Sequence, residues 1–168
     1  MEEGLWPLVV GIMGPTNITL PKPRGFAGIG LFQPKSQVNV GAALRAAGCY
    51  SANLMAATGQ RYKRSAADTI AAYKHIPFFD GVDDLFNYVP FNCIPIAVDL
   101  VEGAHSLPNF VHPERAFYIF GPEDGTLGKQ ITDRCKHKLM IPTAFCMNLA
   151  ASVNVVLYDR LAKQVRKH

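Results

Sequence analysis

Short apolar runs alternating with helical stretches limit most strongly what this chain can become. Gly25–Phe32, Ser51–Ala56, Ile94–Leu100, Ala116–Phe120 and Lys138–Ile141 each read as a strand. Asn39–Ala47, Ala66–Lys74, Thr126–Cys135 and Asn148–Val165 read as helices. Strands that are apolar throughout need cover on both faces. The expected fold class is therefore α/β, a mostly parallel sheet with helices on both faces. Residues 1–24 carry Pro7, Pro15, Pro21 and Pro23 and read as an irregular N-terminal extension, leaving 25–168 as one domain.

Composition narrows the class further. With 49% hydrophobic and 18% charged residues the chain is globular, and its +4 net charge permits a polyanionic partner. No apolar run approaches the ~20 residues of a membrane span. Leu5–Met13 is apolar but follows Glu2 and Glu3 and ends at Gly14-Pro15, which is not the layout of a secretory signal. The 4 cysteines form no CxxC pair, so a zinc site is not expected. Cys49, Cys93, Cys135 and Cys146 all lie in or beside apolar stretches. They are expected to be buried free thiols in a reducing, cytoplasmic compartment.

Three segments carry chemistry, and each follows a predicted strand, where parallel α/β sheets bind ligands. In Asn39-Val40-Gly41-Ala42-Ala43-Leu44-Arg45, Asn39 suits a helix cap and Gly41 a close backbone approach. Arg45, about a turn and a half on, suits a bidentate phosphate contact. Taken alone, the segment is also what a capped helix with a solvated arginine looks like. Phe120-Gly121-Pro122-Glu123-Asp124-Gly125 is a tight turn carrying an acidic pair. Two adjacent carboxylates are a weak metal signal, and the turn is no GxGxxG, so a nicotinamide cofactor finds no support. Ile141-Pro142-Thr143-Ala144-Phe145-Cys146-Met147-Asn148-Leu149 is a small-residue loop whose Asn148 opens the last helix. Cys146 has no histidine nearby in sequence to activate it and reads as a packing or ligand-lining residue.

In this order the three segments resemble the SpoU/TrmH family of RNA 2′-O-ribose methyltransferases, within the SPOUT superfamily, over roughly residues 25–165. The resemblance implies a C-terminal deep trefoil knot, a departure from the rule against knots, and a homodimer packed around the last helix. It implies S-adenosyl-L-methionine as cofactor, held by Val98, Asp99 and Leu100, by Gly121, and by Ile141 through Cys146 and Met147. Arg45 matches the family's catalytic arginine, Asn148 the asparagine of the third motif, and Glu123 the acid of the second, a loop organiser rather than a base. Arginine stays protonated. An RNA phosphate must then assist in deprotonating the ribose hydroxyl, or Arg45 positions the target and stabilises charge.

The implied activity is methylation of a ribose 2′-hydroxyl in tRNA or rRNA, without metal. Asn39, Arg61, Lys63, Arg64 and Tyr158 are the expected RNA contacts, Tyr158 also matching a dimer-interface tyrosine of short family members. Lys74, Lys136-His137-Lys138 and the tail Lys163, Arg166, Lys167 and His168 are further basic candidates. One departure stands out: Cys146 occupies the position of a family serine, and a thiol hydrogen-bonds poorly. The competing readings are a catalytically weakened RNA-binding module of the same fold and a small-molecule methyltransferase of the same superfamily. His112, beside Pro113, reads as structural.

Overall fold

A computed structural model describes residues 24–59 and 74–165. Seven strands form one sheet: β1 (Phe26–Leu31), β2 (Leu54–Thr58), β3 (Phe78–Val82), β4 (Ile94–Val98), β5 (His105–Ser106), β6 (Arg115–Phe120) and β7 (His137–Met140). Their order is β3-β2-β1-β6-β4-β7-β5, and every pairing is parallel. Among the described residues three α-helices accompany them: α1 (Gln37–Cys49), the single-turn α2 (Lys129–Thr132) and α3 (Leu149–Val165).

The pleat sorts the core into two layers. Ala27, Ile29 and Leu31 of β1, with Ala116, Tyr118 and Phe120 of β6, face α1 and α3. Phe117 and Ile119 point the other way, towards Leu85, Leu127 and Ile131. Gly28 and Gly30 in β1 share that second face, where an added Cβ would lie 2.5 Å and 2.8 Å from the Phe117 ring. These glycines leave the space the ring fills.

The central strands begin and end within two residues or so of the expected bounds, and the differences have local causes. β2 starts at Leu54 rather than Ser51, because Ser51 adopts φ +53° and its amide bonds the Gly48 carbonyl. The expected Thr126–Cys135 helix shrinks to Lys129–Thr132, beginning after Gly128 at φ +69°. Nothing in the apolar pattern announces β3, which carries Asp80 and Gly81, or the two-residue β5. Asn39 does not cap α1: the Ser36 side chain accepts from the Asn39 amide. Nor are the thiols uniformly buried, since Cys93 is buried and Cys135 partly so, while Cys49 and Cys146 are exposed. All four are free.

The C-terminal half of α3 is fastened to the opposite, amino-terminal end of the strands. Arg160, only 4% exposed, donates to the carbonyls of Pro113, Glu114, Arg24 and Phe26. A buried guanidinium needs such a full set of acceptors. Lys163 donates to the Leu107 and Phe110 carbonyls and pairs with Asp159. That corrects its reading as an RNA contact: its ammonium is spent on the fold. His112 bridges Tyr118 and Asp159 at 2.7 and 2.8 Å. Burial pushes its pKa down to about 4 against the opposing pull of Asp159, so the ring is neutral, accepting from Tyr118 and donating to Asp159.

Candidate functional site

Parallel strands put all their carboxyl ends on one side, and the order β1-β6-β4-β7 sets four of those ends next to one another. Three of the loops that leave them enclose a cleft of about 150 Å³. After β4 come Val98, Asp99 and Leu100. The turn after β6 supplies Gly121, Pro122, Glu123 and Gly125. After β7, Ile141, Thr143, Cys146 and Met147 close the wall, with Leu149 and Ser152 from the first turn of α3. Every residue expected to hold the cofactor therefore lines one cleft. The cleft is small beside ordinary ligand pockets of ~300–1,000 Å³, so a nucleoside-sized ligand must widen it or project from its mouth.

Hydrogen bonds tie the loops together. Asp99 Oδ2 accepts from the Leu127 amide at 2.7 Å, linking the β4 loop to the β6 loop. Glu123 accepts from the Lys35 and Ser36 amides at 3.0 and 3.4 Å and from Asn39 Nδ2 at 2.7 Å. Lys35 also pairs with Asp124. Asn39 Oδ1 in turn accepts from Asn148 Nδ2 at 2.9 Å. Asn148 Oδ1 caps α3, accepting from the amides of Ala150 and Ala151 at 2.9 and 3.2 Å. One chain of bonds thus runs from the β6 turn through the start of α1 to the start of α3.

This chain gives the polar residues distinct chemistry. Burial pushes the Glu123 carboxyl up, but the hydrogen bonds from Asn39, Lys35 and Ser36 outweigh it and hold the group below the usual carboxylate value. An ionised carboxylate with its acceptor sites already engaged makes a loop organiser and a poor proton acceptor. Arg45 lies on the exposed face of α1, with Val38 and Cys49. Tyr158, 61% exposed, is not core: its ring meets Tyr50 edge-on at 6.4 Å. Arg61, Lys63, Arg64, Arg166, Lys167 and His168 lie outside the described residues, as does nearly all of the expected Ala66–Lys74 helix. Nothing in the sequence marks Leu127 or Ser152, which join the site through contacts made only in the folded chain.

Among the described residues no group of three or more His, Cys, Asp and Glu side chains is arranged to hold a metal ion, and no helix is long and apolar enough to cross a membrane.

A family model described as the SpoU rRNA Methylase family matches residues 27–158. The solved structures that resemble the chain carry similar descriptions. The SpoU methyltransferase AviRb from Streptomyces viridochromogenes, in complex with the cofactor AdoMet, superposes with a TM-score of 0.74 at 17% identity, over 86% of this chain and 60% of that one. The chain thus spans less than two thirds of that longer protein. The A. aeolicus TrmH/SpoU tRNA modifying enzyme gives a TM-score of 0.74 at 16% identity, over 87% of this chain and 79% of that one. A structure concerned with 2-OH methylation of C/U34 on tRNA gives 0.70 at 19% identity, over 88% of this chain and 100% of that one. No curated protein matches the chain.

Proposed function

The chain belongs to the SpoU rRNA Methylase family, and from that premise we propose that it transfers a methyl group from S-adenosylmethionine to a ribose 2′-hydroxyl of tRNA or rRNA. The observation that carries this reading is the meeting of three separate loops around one cleft, bonded through Asn39 to Glu123 and Asn148. The AdoMet complex of AviRb and the tRNA 2-OH methylation structure support it.

The cleft suits the cofactor. Val98, Leu100, Phe120, Ile141, Met147 and Leu149 provide apolar walls for an adenine and a thioether. The Asp99 carboxylate stands in the same wall, where it favours a ligand carrying positive charge. S-adenosylmethionine, when bound, supplies an electrophilic methyl group. Backbone amides and carbonyls of the Gly121 turn and the Ile141–Met147 loop hold and orient it. Asn148 and Glu123 keep those loops in register. Arg45 engages the RNA phosphate bidentately, positions the ribose and stabilises the charge that develops as the 2′-oxygen takes the methyl group and its proton is released to solvent. Cys146 acts as a wall, so the thiol in place of a family serine is compatible with activity.

The same reading includes a C-terminal trefoil knot and a homodimer, in a cytoplasmic protein. Support for the knot is the excursion from β4 out to β5 and back to β6, which brackets the place where β7 enters the sheet before α3. Support for the dimer is the exposure of Val38 and Tyr158 on helices that pack together. Four free thiols suit a reducing compartment.

Incubation with labelled S-adenosylmethionine and total cellular RNA, followed by nucleoside mass spectrometry, tests the reading. A 2′-O-methylated nucleoside is expected. Labelling of a base, or of small molecules only, overturns it.

A further inference from the structure

The lining of the cleft is unbalanced in charge. Asp99 and Glu123 both line it, and no Lys, Arg or His of the described residues joins them there. The two acids are placed differently. Glu123 turns its oxygens to the Lys35 and Ser36 amides and to Asn39, beside the Lys35–Asp124 pair. Asp99 accepts from the Leu100 and Leu127 amides, each at 2.7 Å. Among the described residues no cation pairs with it. Two backbone amides fix the position of the Asp99 carboxylate without cancelling its charge.

Nothing else in the wall offers to hold an anion. The first turn of a helix is a ready anion site, and Leu149 and Ser152 bring the first turn of α3 to the cleft. Its Ala150 and Ala151 amides, however, already donate to Asn148 Oδ1. A pocket lined in this way sorts ligands by charge. S-adenosylmethionine carries one positive charge more than S-adenosylhomocysteine, on its sulfonium, and the two share their adenosine and amino-acid ends. Transfer breaks the bond from sulfur to methyl and leaves the electron pair on sulfur, which removes that charge. The methyl group bonds to the acceptor oxygen, which gives up its proton. A sphere of 150 Å³ is about 7 Å across, so a charge held in the cleft stays close to its wall.

We propose that Asp99 makes the cleft charge-selective, so that it takes the cationic methyl donor in preference to the neutral product, and that this preference favours product release after each transfer. The inference rests on the cofactor reading above and does not depend on which RNA is methylated.

Calorimetric titration of the full chain with three ligands tests it. These are S-adenosylmethionine, S-adenosylhomocysteine, and sinefungin, which carries an ammonium where the donor carries its sulfonium. Wild type should bind the two cationic ligands about 3- to 50-fold more tightly than S-adenosylhomocysteine. That is the range for unit charges on the order of 7 Å apart at an effective dielectric between about 80 and about 20. The ratio should shrink in added KCl. Asp99→Asn removes the charge and keeps an acceptor for the Leu127 amide, and it should bring the ratio close to unity. Glu102→Gln removes an exposed acid of the same β4–β5 connection that does not line the cleft, and it should leave the ratio unchanged. A loop merely distorted by Asp99→Asn would weaken all three ligands alike, which overturns the proposal. So does a wild-type ratio near unity, or a Glu102→Gln ratio that falls as far as that of Asp99→Asn. Wild-type protein that binds none of the three defeats the cofactor reading itself, and the inference with it, a result distinct from equal binding of all three.

Discussion

Asn148 Nδ2 donates a 2.9 Å hydrogen bond to Asn39 Oδ1 across 109 residues of sequence, joining the start of α3 to the start of α1. The same two side chains also cap α3 and bind Glu123. Replacing either by alanine should destabilise the fold, and Asn148→Ala more, because it also loses the helix cap, worth ~1 kcal/mol. A double-mutant cycle by urea unfolding should show a coupling of about 0.5–1.5 kcal/mol. Strict additivity would mean that the bond contributes nothing.

Arg45→Ala should abolish methyl transfer while S-adenosylhomocysteine affinity stays within a few-fold of wild type. Arg45 is on α1, and the cleft is built from the loops after β4, β6 and β7. Its loss removes interactions made with RNA in the transition state. Arg45→Lys should also fail, because an ammonium cannot reproduce the planar fork. Weak cofactor binding with normal turnover at saturation would make Arg45 a structural residue.

Tyr158 is 61% exposed on α3, against Tyr50. If α3 meets a second copy, light scattering at micromolar concentration should give the mass of a dimer, and Tyr158→Asp should shift it towards monomer. Wild-type protein that elutes as a monomer would sink the dimer.

Stability should fall on mild acidification through His112. The ring is neutral in the folded protein with a pKa near 4, while the unfolded chain titrates at about 6.5. A histidine whose pKa is lowered by folding contributes stability that is complete above the unfolded value. That contribution is lost as pH drops from about 6.5 towards 4, because the unfolded chain takes up the proton first. The loss should be on the order of 2–3 kcal/mol. His112→Gln keeps a donor and an acceptor without titrating, so its unfolding free energy should be flatter over this range. An unchanged pH profile would show that other groups control it.

Gly28→Ala and Gly30→Ala should each cost ~1–3 kcal/mol by overpacking. The added methyl meets the Phe117 ring, which is fully buried, so the ring must shift within a packed core to admit it. Phe117→Leu should relieve part of the cost in the double variant. Glycine variants that unfold at the wild-type midpoint would show that the ring can shift.

Much of this was legible in the sequence. The apolar runs of β1, β4 and β6 reveal a sheet covered on both sides, because a strand buried on two faces has no polar alternation to obscure it. Two of the three cleft loops, those after β6 and β7, were equally readable, since each breaks an apolar run with Gly, Pro or Asn, whereas the Val98–Leu100 loop came only from the family resemblance. Neither edge strand was: β5 is only two residues, held by pairing with β7, and β3 carries Asp80 and Gly81. Local apolarity also misjudged Cys146, which lies among small residues but is exposed in the loop that walls the cleft. What only the tertiary structure decided is which loops meet. Glu123 and Asn39 are 84 residues apart, and they bond because β1 and β6 are neighbours in the sheet. Short-range pattern records which face of a strand is buried, but the order of strands is set by the packing of the whole chain, and the site is a product of that order.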